Sequence, residues 1–216
     1  MTLKKYTQNN GDVFTLTVKE YKQLSGQEKL FYRLYRNPLI LFLVMPLFLF
    51  LVLHRFSNPR ATRRERYSVY GTNLALLVLV LLLSFTIGLQ SLLLVQLPIM
   101  WLSATAGVWL FYIQHQFEET YWGQEGKWDF EVAALQGSSY YKLPGLLQWF
   151  TGNIGFHHIH HLSPRIPNYY LEKCHKASTL FRQTDSIGLK QGLKSIFLRL
   201  WDEEQQKMVG FGAIKR

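Results

Sequence analysis

From Leu74 to Ile113 the chain runs for forty residues without a charge, a block too long and too apolar for an ordinary soluble core. As one α-helix at about 1.5 Å per residue it would be roughly 60 Å long, twice a ~30 Å hydrocarbon core. Two spans fit that length. GLQS at Gly88 to Ser91 and QLP at Gln96 to Pro98 supply the break, so helices are expected near 74–90 and 96–114, joined as a transmembrane hairpin over 74–114. Residues 39–53 are a different case, because fifteen apolar residues interrupted by Pro46 are too few for a crossing helix. They predict a re-entrant or interfacial segment.

Charge gives the orientation. RFSNPRATRRER carries Arg55, Arg60, Arg63, Arg64 and Arg66 against the single Glu65, the bias of a cytoplasmic loop. A hairpin that starts there returns there. His115 and the helical region 115–216 are therefore expected on the cytoplasmic face, and residues 1–216 form one all-α integral membrane domain. The net charge of +10 flanks apolar segments, and no nucleic-acid-binding motif accompanies it; anionic lipid headgroups, and secondarily an acidic electron-carrier protein, match it instead. The single cysteine, Cys174, excludes an internal disulfide framework. MTLKKYTQNN lacks the apolar stretch of a signal peptide, so insertion is expected to use the internal spans.

Thr17 with Glu20, and Ser25 with Glu28, have the spacing of a capping box and predict two short helices. Ser163 followed by Pro164 reads as another helix start. Leu189, Leu193, Ile196, Phe197, Leu200 and Trp201 recur at helical spacing opposite Lys190, Lys194 and Arg199, which predicts an amphipathic helix lying on the membrane or on the rest of the cytoplasmic region.

GNIGFHHIHHLSPRIPNYYL places four of the seven histidines, His157, His158, His160 and His161, in five positions. On a helix, positions i, i+3 and i+4 share a face, so His157, His160 and His161 can converge on one centre while His158 points partly aside. Converging neutral imidazoles suit iron, zinc, copper or nickel; the competing reading is an exposed, pH-sensitive patch that coordinates nothing. His115, in IQHQFEETYW at the end of the second span, is either an interfacial residue or a further ligand, and the neighbouring cluster favours the ligand. Glu119, one turn beyond, is a candidate to orient the His115 ring or a solvated charge.

The HxxHH spacing at His157, the preceding QHQFEETYW, the following LSPRIPNYYL and the closing LWDEEQQKMVGF together resemble the membrane fatty acid desaturases of the acyl-lipid type, over about Gly11 to Phe211. The resemblance implies a nonheme diiron oxidoreductase that uses oxygen, with two electrons from a ferredoxin or cytochrome, to introduce a double bond into an acyl chain of a membrane lipid or acyl carrier. It implies metal ligation by His115, His157, His160 and His161, with His158 and Glu119 in support. Family members also carry an HxxxH box and an earlier HxxHH box, both before the segment that GDVFTLTVKEYKQLS resembles. Neither box occurs in this chain, and His54 and His175 stand alone. The resemblance therefore implies an incomplete ligand set, to be supplemented by an upstream half. The alternatives are an inactive membrane-anchored fragment or subunit with a partial metal site, and a related diiron fatty acyl hydroxylase.

Overall fold

The computed structural model describes residues 6–7, 13–124 and 129–214, which divide into two units, 1–29 with 111–216 and 30–110. Gly11, where the resemblance begins, lies outside the described residues.

The chain starts with two short strands, β1 (Tyr6–Thr7) and β2 (Leu16–Thr17). Thr17 accepts the Glu20 amide, and Glu20 takes the Thr17 amide in return, which starts α1 (Val18–Gln23). Ser25 and Glu28 repeat this reciprocal pair at the head of α2 (Gly26–Tyr35). Both capping boxes read in the sequence are present.

In the second unit a π-helical stretch, Ile40–Val44, runs into α3 (Met45–Leu51). Pro46 sits in the first turn of α3, directly after the π turn, and has no amide to donate back to the carbonyls of that turn. The wide π turn leaves backbone carbonyls for side chains: Trp101 Nε1 donates to Leu43 O and Thr105 Oγ1 to Phe42 O, both at 2.9 Å. The run Ile40–Arg55 meets α2 at a bend of 53°, as in a broken span or a re-entrant loop. Two helices follow, α4 (Arg63–Ile87) and α5 (Leu89–His115), each long and apolar enough to cross a membrane.

Both long helices start earlier than the sequence suggested. A capping box between Thr62 and Glu65 nucleates α4 at Arg63 rather than near Leu74, so the helix takes in the arginines. Gly88 alone, at φ +83°, makes the break, a conformation that glycine adopts without a Cβ penalty. No loop residues are needed, and α5 starts at Leu89 with Pro98 inside it instead of at its head; apolar spanning helices tolerate such an interior proline.

The rest of the first unit is made of short pieces. β3 (Gly123–Gln124) pairs antiparallel with β1. Asp129 caps α6 (Phe130–Gln136) by accepting the Val132 amide. Then come β4 (Tyr140–Lys142), α7 (Gly145–Phe150), α8 (His157–Leu162), α9 (Asn168–Ala177), α10 (Thr179–Arg182), β5 (Ser186–Gly188), α11 (Leu189–Ser195), β6 (Leu200–Asp202) and β7 (Lys207–Val209). β4 and β5 pair in parallel, and β6 lies between β2 and β7. Region 115–216 is thus helical with short strands, not helical throughout.

Two local expectations fail for identifiable reasons. Ser163 and Pro164 form a turn closed by Ile166 N donating to Ser163 O, and the helix begins only after Pro167. A residue before proline is pushed out of the α region, so Ile166 cannot carry a helix from Pro164 through Pro167. The C-terminal amphipathic helix stops at Ser195, because Leu200 and Trp201 enter a strand register with Val209 and Met208. There Trp201 stacks on Trp122 at 5.7 Å and packs on Met208. A second cluster, Phe156, Ile159 and Leu171, lies under α8 and α9.

Candidate metal centre

The last turn of α5 is fixed from both sides. Gln114 Nε2 donates to Ile154 O at 2.7 Å, and the Ser139 amide donates to Gln114 O at 3.0 Å. This holds His115, only 1% exposed, against the segment that starts α8. The start of α8 is tight as well. Tyr141 N donates to Gly155 O at 2.8 Å, and a Cβ on Gly155 would fall within 2.6 Å of the Gln148 side chain. From there His157 and His161, four residues apart on one helix, project from the same face.

Three imidazoles meet at this point. His115 Nε2 lies 2.9 Å from His157 Nε2 and 3.1 Å from His161 Nε2, and the last two are 3.0 Å apart. His115 Nδ1 faces Gly137 O at 3.2 Å. A carbonyl only accepts, so the ring proton of neutral His115 sits on Nδ1 and Nε2 presents a lone pair. Protons on the other two Nε2 atoms would satisfy two edges of the triangle and set two donors against each other on the third. A cation at the centre relieves all three edges. Burial, followed by the neighbouring imidazoles, holds His157 far below the ordinary histidine range. Burial and then His160 lower His161 to about 4. Both rings are neutral at neutral pH, the form that binds metal.

The spacing bears on geometry too. Nitrogens at about 2.0–2.1 Å from one centre lie roughly 2.8–3.0 Å apart at right angles and roughly 3.3–3.4 Å apart at tetrahedral angles. The observed edges, 2.9, 3.0 and 3.1 Å, lie nearer the right-angle value than the tetrahedral one. The donor set fits a metal that keeps further positions for other ligands, and it fits a closed tetrahedral site less well.

The remaining histidines lie elsewhere. His160 shares α8 but stays outside the trio, its ring stacked beside His157 at 5.7 Å and 6.0 Å from His161. His158 points away and is wholly buried, and among the described residues neither of its ring nitrogens has a hydrogen-bond partner; burial, then His175, lowers it to about 3. It packs edge-on to Tyr140 and to His175, at 6.2 and 5.5 Å. His175, isolated in the sequence, thus closes an aromatic layer with Tyr140 and Phe156 behind α8. Glu119 is exposed on a cavity of about 340 Å³ that it shares with Asp185 and Lys194. The acceptor at His115 Nδ1 is instead the Gly137 carbonyl, which ends α6. Its role was hidden from the sequence because any residue supplies a carbonyl. His54 lies in the other unit, edge-on to Phe50.

Two apolar helices of spanning length and a histidine cluster capable of binding metal define the class: a mostly helical protein of the membrane type with a candidate metal site. The comparisons name the family. The model described as "Fatty acid desaturase" matches residues 5–185. A "Fatty acid desaturase" of Bacillus subtilis (strain 168) is 50% identical over 205 residues, covering 95% of this chain and 58% of that relative. The chain belongs to the fatty acid desaturase family. It spans less than two thirds of the length of that relative.

Proposed function

We propose that this chain is the third-box portion of an iron-dependent desaturase acting on the acyl chains of membrane lipids. The observation that carries the reading is the convergence of His115, His157 and His161 within 3.1 Å of one another, inside the matched family region. When bound, iron together with dioxygen and two electrons from a ferredoxin or cytochrome supplies the oxidising power that unactivated methylene C–H bonds require.

The chain's own residues hold and shield that centre. The three Nε2 atoms are the ligands, and the Gly137 carbonyl fixes the His115 tautomer and ring orientation. Burial of His115 and His157 shields these two ligands from bulk water, while His161 forms the open side of the trio. His160, on the same helix but outside the trio, is a ligand for a second iron. The seven histidines of this sequence do not complete two coordination spheres, so the remaining ligands come from an HxxxH and an HxxHH box on an upstream half. The hairpin crosses the membrane with the arginine loop and the histidines on the cytoplasmic face, and residues 39–53 re-enter rather than span.

The test joins this chain to an upstream half carrying both boxes, in a host without desaturases, and reads the acyl chains of the total lipid. New unsaturated chains are expected from the joined protein and none from its His161→Ala variant. Equal product from both would overturn the reading.

A further inference from the structure

Helix α7 is inside out. Its sequence is GLLQWF, and the one residue it buries is the polar Gln148, while Leu146, Trp149 and Phe150 stand 69%, 71% and 69% exposed. Water-facing helices put such residues on the other side. A second exposed apolar row lies on α11 and the turn after it, where Leu189, Leu193 and Phe197 follow at four-residue spacing.

The fold starts the two helices from one place. β4 and β5 run parallel with Lys142 opposite Gly188, so α7 and α11 leave the same end of this strand pair. Gly192 of α11 packs over the Tyr141 ring of β4, where a Cβ would come within 3.1 Å. Both rows are also tied to the last turn of α5. Gln114 Nε2 donates to Ile154 O just after α7, and Tyr112 Oη donates to Leu198 O just after α11, each at 2.7 Å. If α5 crosses a membrane, that turn sits at its surface. Lys142, Lys190 and Lys194 are exposed around the rows, as on helices that lie in a headgroup layer with aromatic and aliphatic residues turned down.

We propose that α7 and α11 form an interfacial belt whose occupant is the phospholipid bilayer, with Trp149, Phe150 and Phe197 below the phosphates and the lysines among them. The belt adds a seat to the proposed span. Because α7 leads into α8 through the close-packed Gly155, that seat also sets the height of the histidine trio above the lipid.

The test is site-directed spin labelling of the whole chain, with Cys174→Ala as background, reconstituted in phosphatidylcholine–phosphatidylglycerol vesicles. Nitroxides at 149, 150 and 197 are read by power saturation against oxygen and a water-soluble nickel chelate. A label at 79 in α4 tests the span, and one at 204 is the aqueous reference. Labels at 149, 150 and 197 are expected about 5–10 Å below the phosphates, with oxygen favoured, while 204 favours nickel. If they match 204 while 79 is deep, the belt is refuted and the span stands. If they are immobilised and shielded from both reagents, in detergent as in lipid, a protein segment or a second copy covers the patch and the proposal fails. A label at 79 outside the hydrocarbon removes the span and the belt with it. Where labelling disturbs folding, quenching of tryptophan fluorescence by brominated lipid gives the same reading: it must fall measurably in Trp149→Phe, and an unchanged quench counts against the belt.

Discussion

Replacing His161 by alanine separates the trio from the sequence motif, because His160, its neighbour in the same box, serves as the control. Structural zinc sites with four ligands contribute about 10–16 kcal/mol, or about 3 kcal/mol per ligand. Loss of one imidazole from a three-nitrogen set then weakens metal binding roughly 100-fold. His161 is partly exposed, so water can fill the space left and the loss reports mainly on ligation. His160 lies with its ring 5.7 Å from His157 and 6.0 Å from His161, and His160→Ala is expected to change affinity in the isolated chain by less than about tenfold. The assay is anaerobic titration with ferrous or cobaltous ion against a competing chelator. Equal losses for the two variants would show that the spatial separation seen here does not govern binding. No loss for His161→Ala would show that His161 is not a ligand.

Acid is expected to weaken the metal-free fold through the same histidines. The folded value of His161, about 4, lies below the unfolded value near 6.5, so the unfolded chain takes up protons first as pH falls. The stability from its burial is complete above about pH 6.5 and is lost progressively toward about pH 4; urea titrations at several pH values should show this slope, and His161→Ala should flatten it. Gly155→Ala is expected to destabilise the unit by about 2–3 kcal/mol, since the new Cβ collides with the Tyr141 carbonyl and the Gln148 side chain. It should weaken metal binding in parallel by moving the start of α8; an unchanged melting temperature would contradict that packing. For the hairpin, cysteines introduced at 64 and 160 should react with an impermeant thiol reagent from the same side of the membrane, and reaction from opposite sides would exclude a hairpin.

Features that depend on local spacing were legible in the sequence, and those set by distant partners were not. The two long apolar helices and the capping boxes at Thr17 and Ser25 follow from neighbours within a few residues. The helical phase of HHIHH puts His157 and His161 on one face, but it equally admits His160. The long-range tie between the last turn of α5 and the segment before α8, where Gln114 bonds Ile154, decides which imidazoles meet His115. Strand β6 illustrates the limit, because Leu200 and Trp201 keep a helical period yet pair with Leu16 and Thr17 near the other end of the chain. Gly137 and His175 carry no motif at all. Proximity in space alone gives the first its place beside His115 and the second its place behind His158.

X-ray absorption at the iron edge, on the purified chain loaded with one equivalent of ferrous ion, addresses the trio directly. Scattering from three imidazole nitrogens is expected at about 2.0–2.1 Å, falling to two in His161→Ala and staying at three in His160→Ala and His175→Ala. A first shell without imidazole scattering, or one that His161→Ala leaves unchanged, would contradict a metal centre built from His115, His157 and His161.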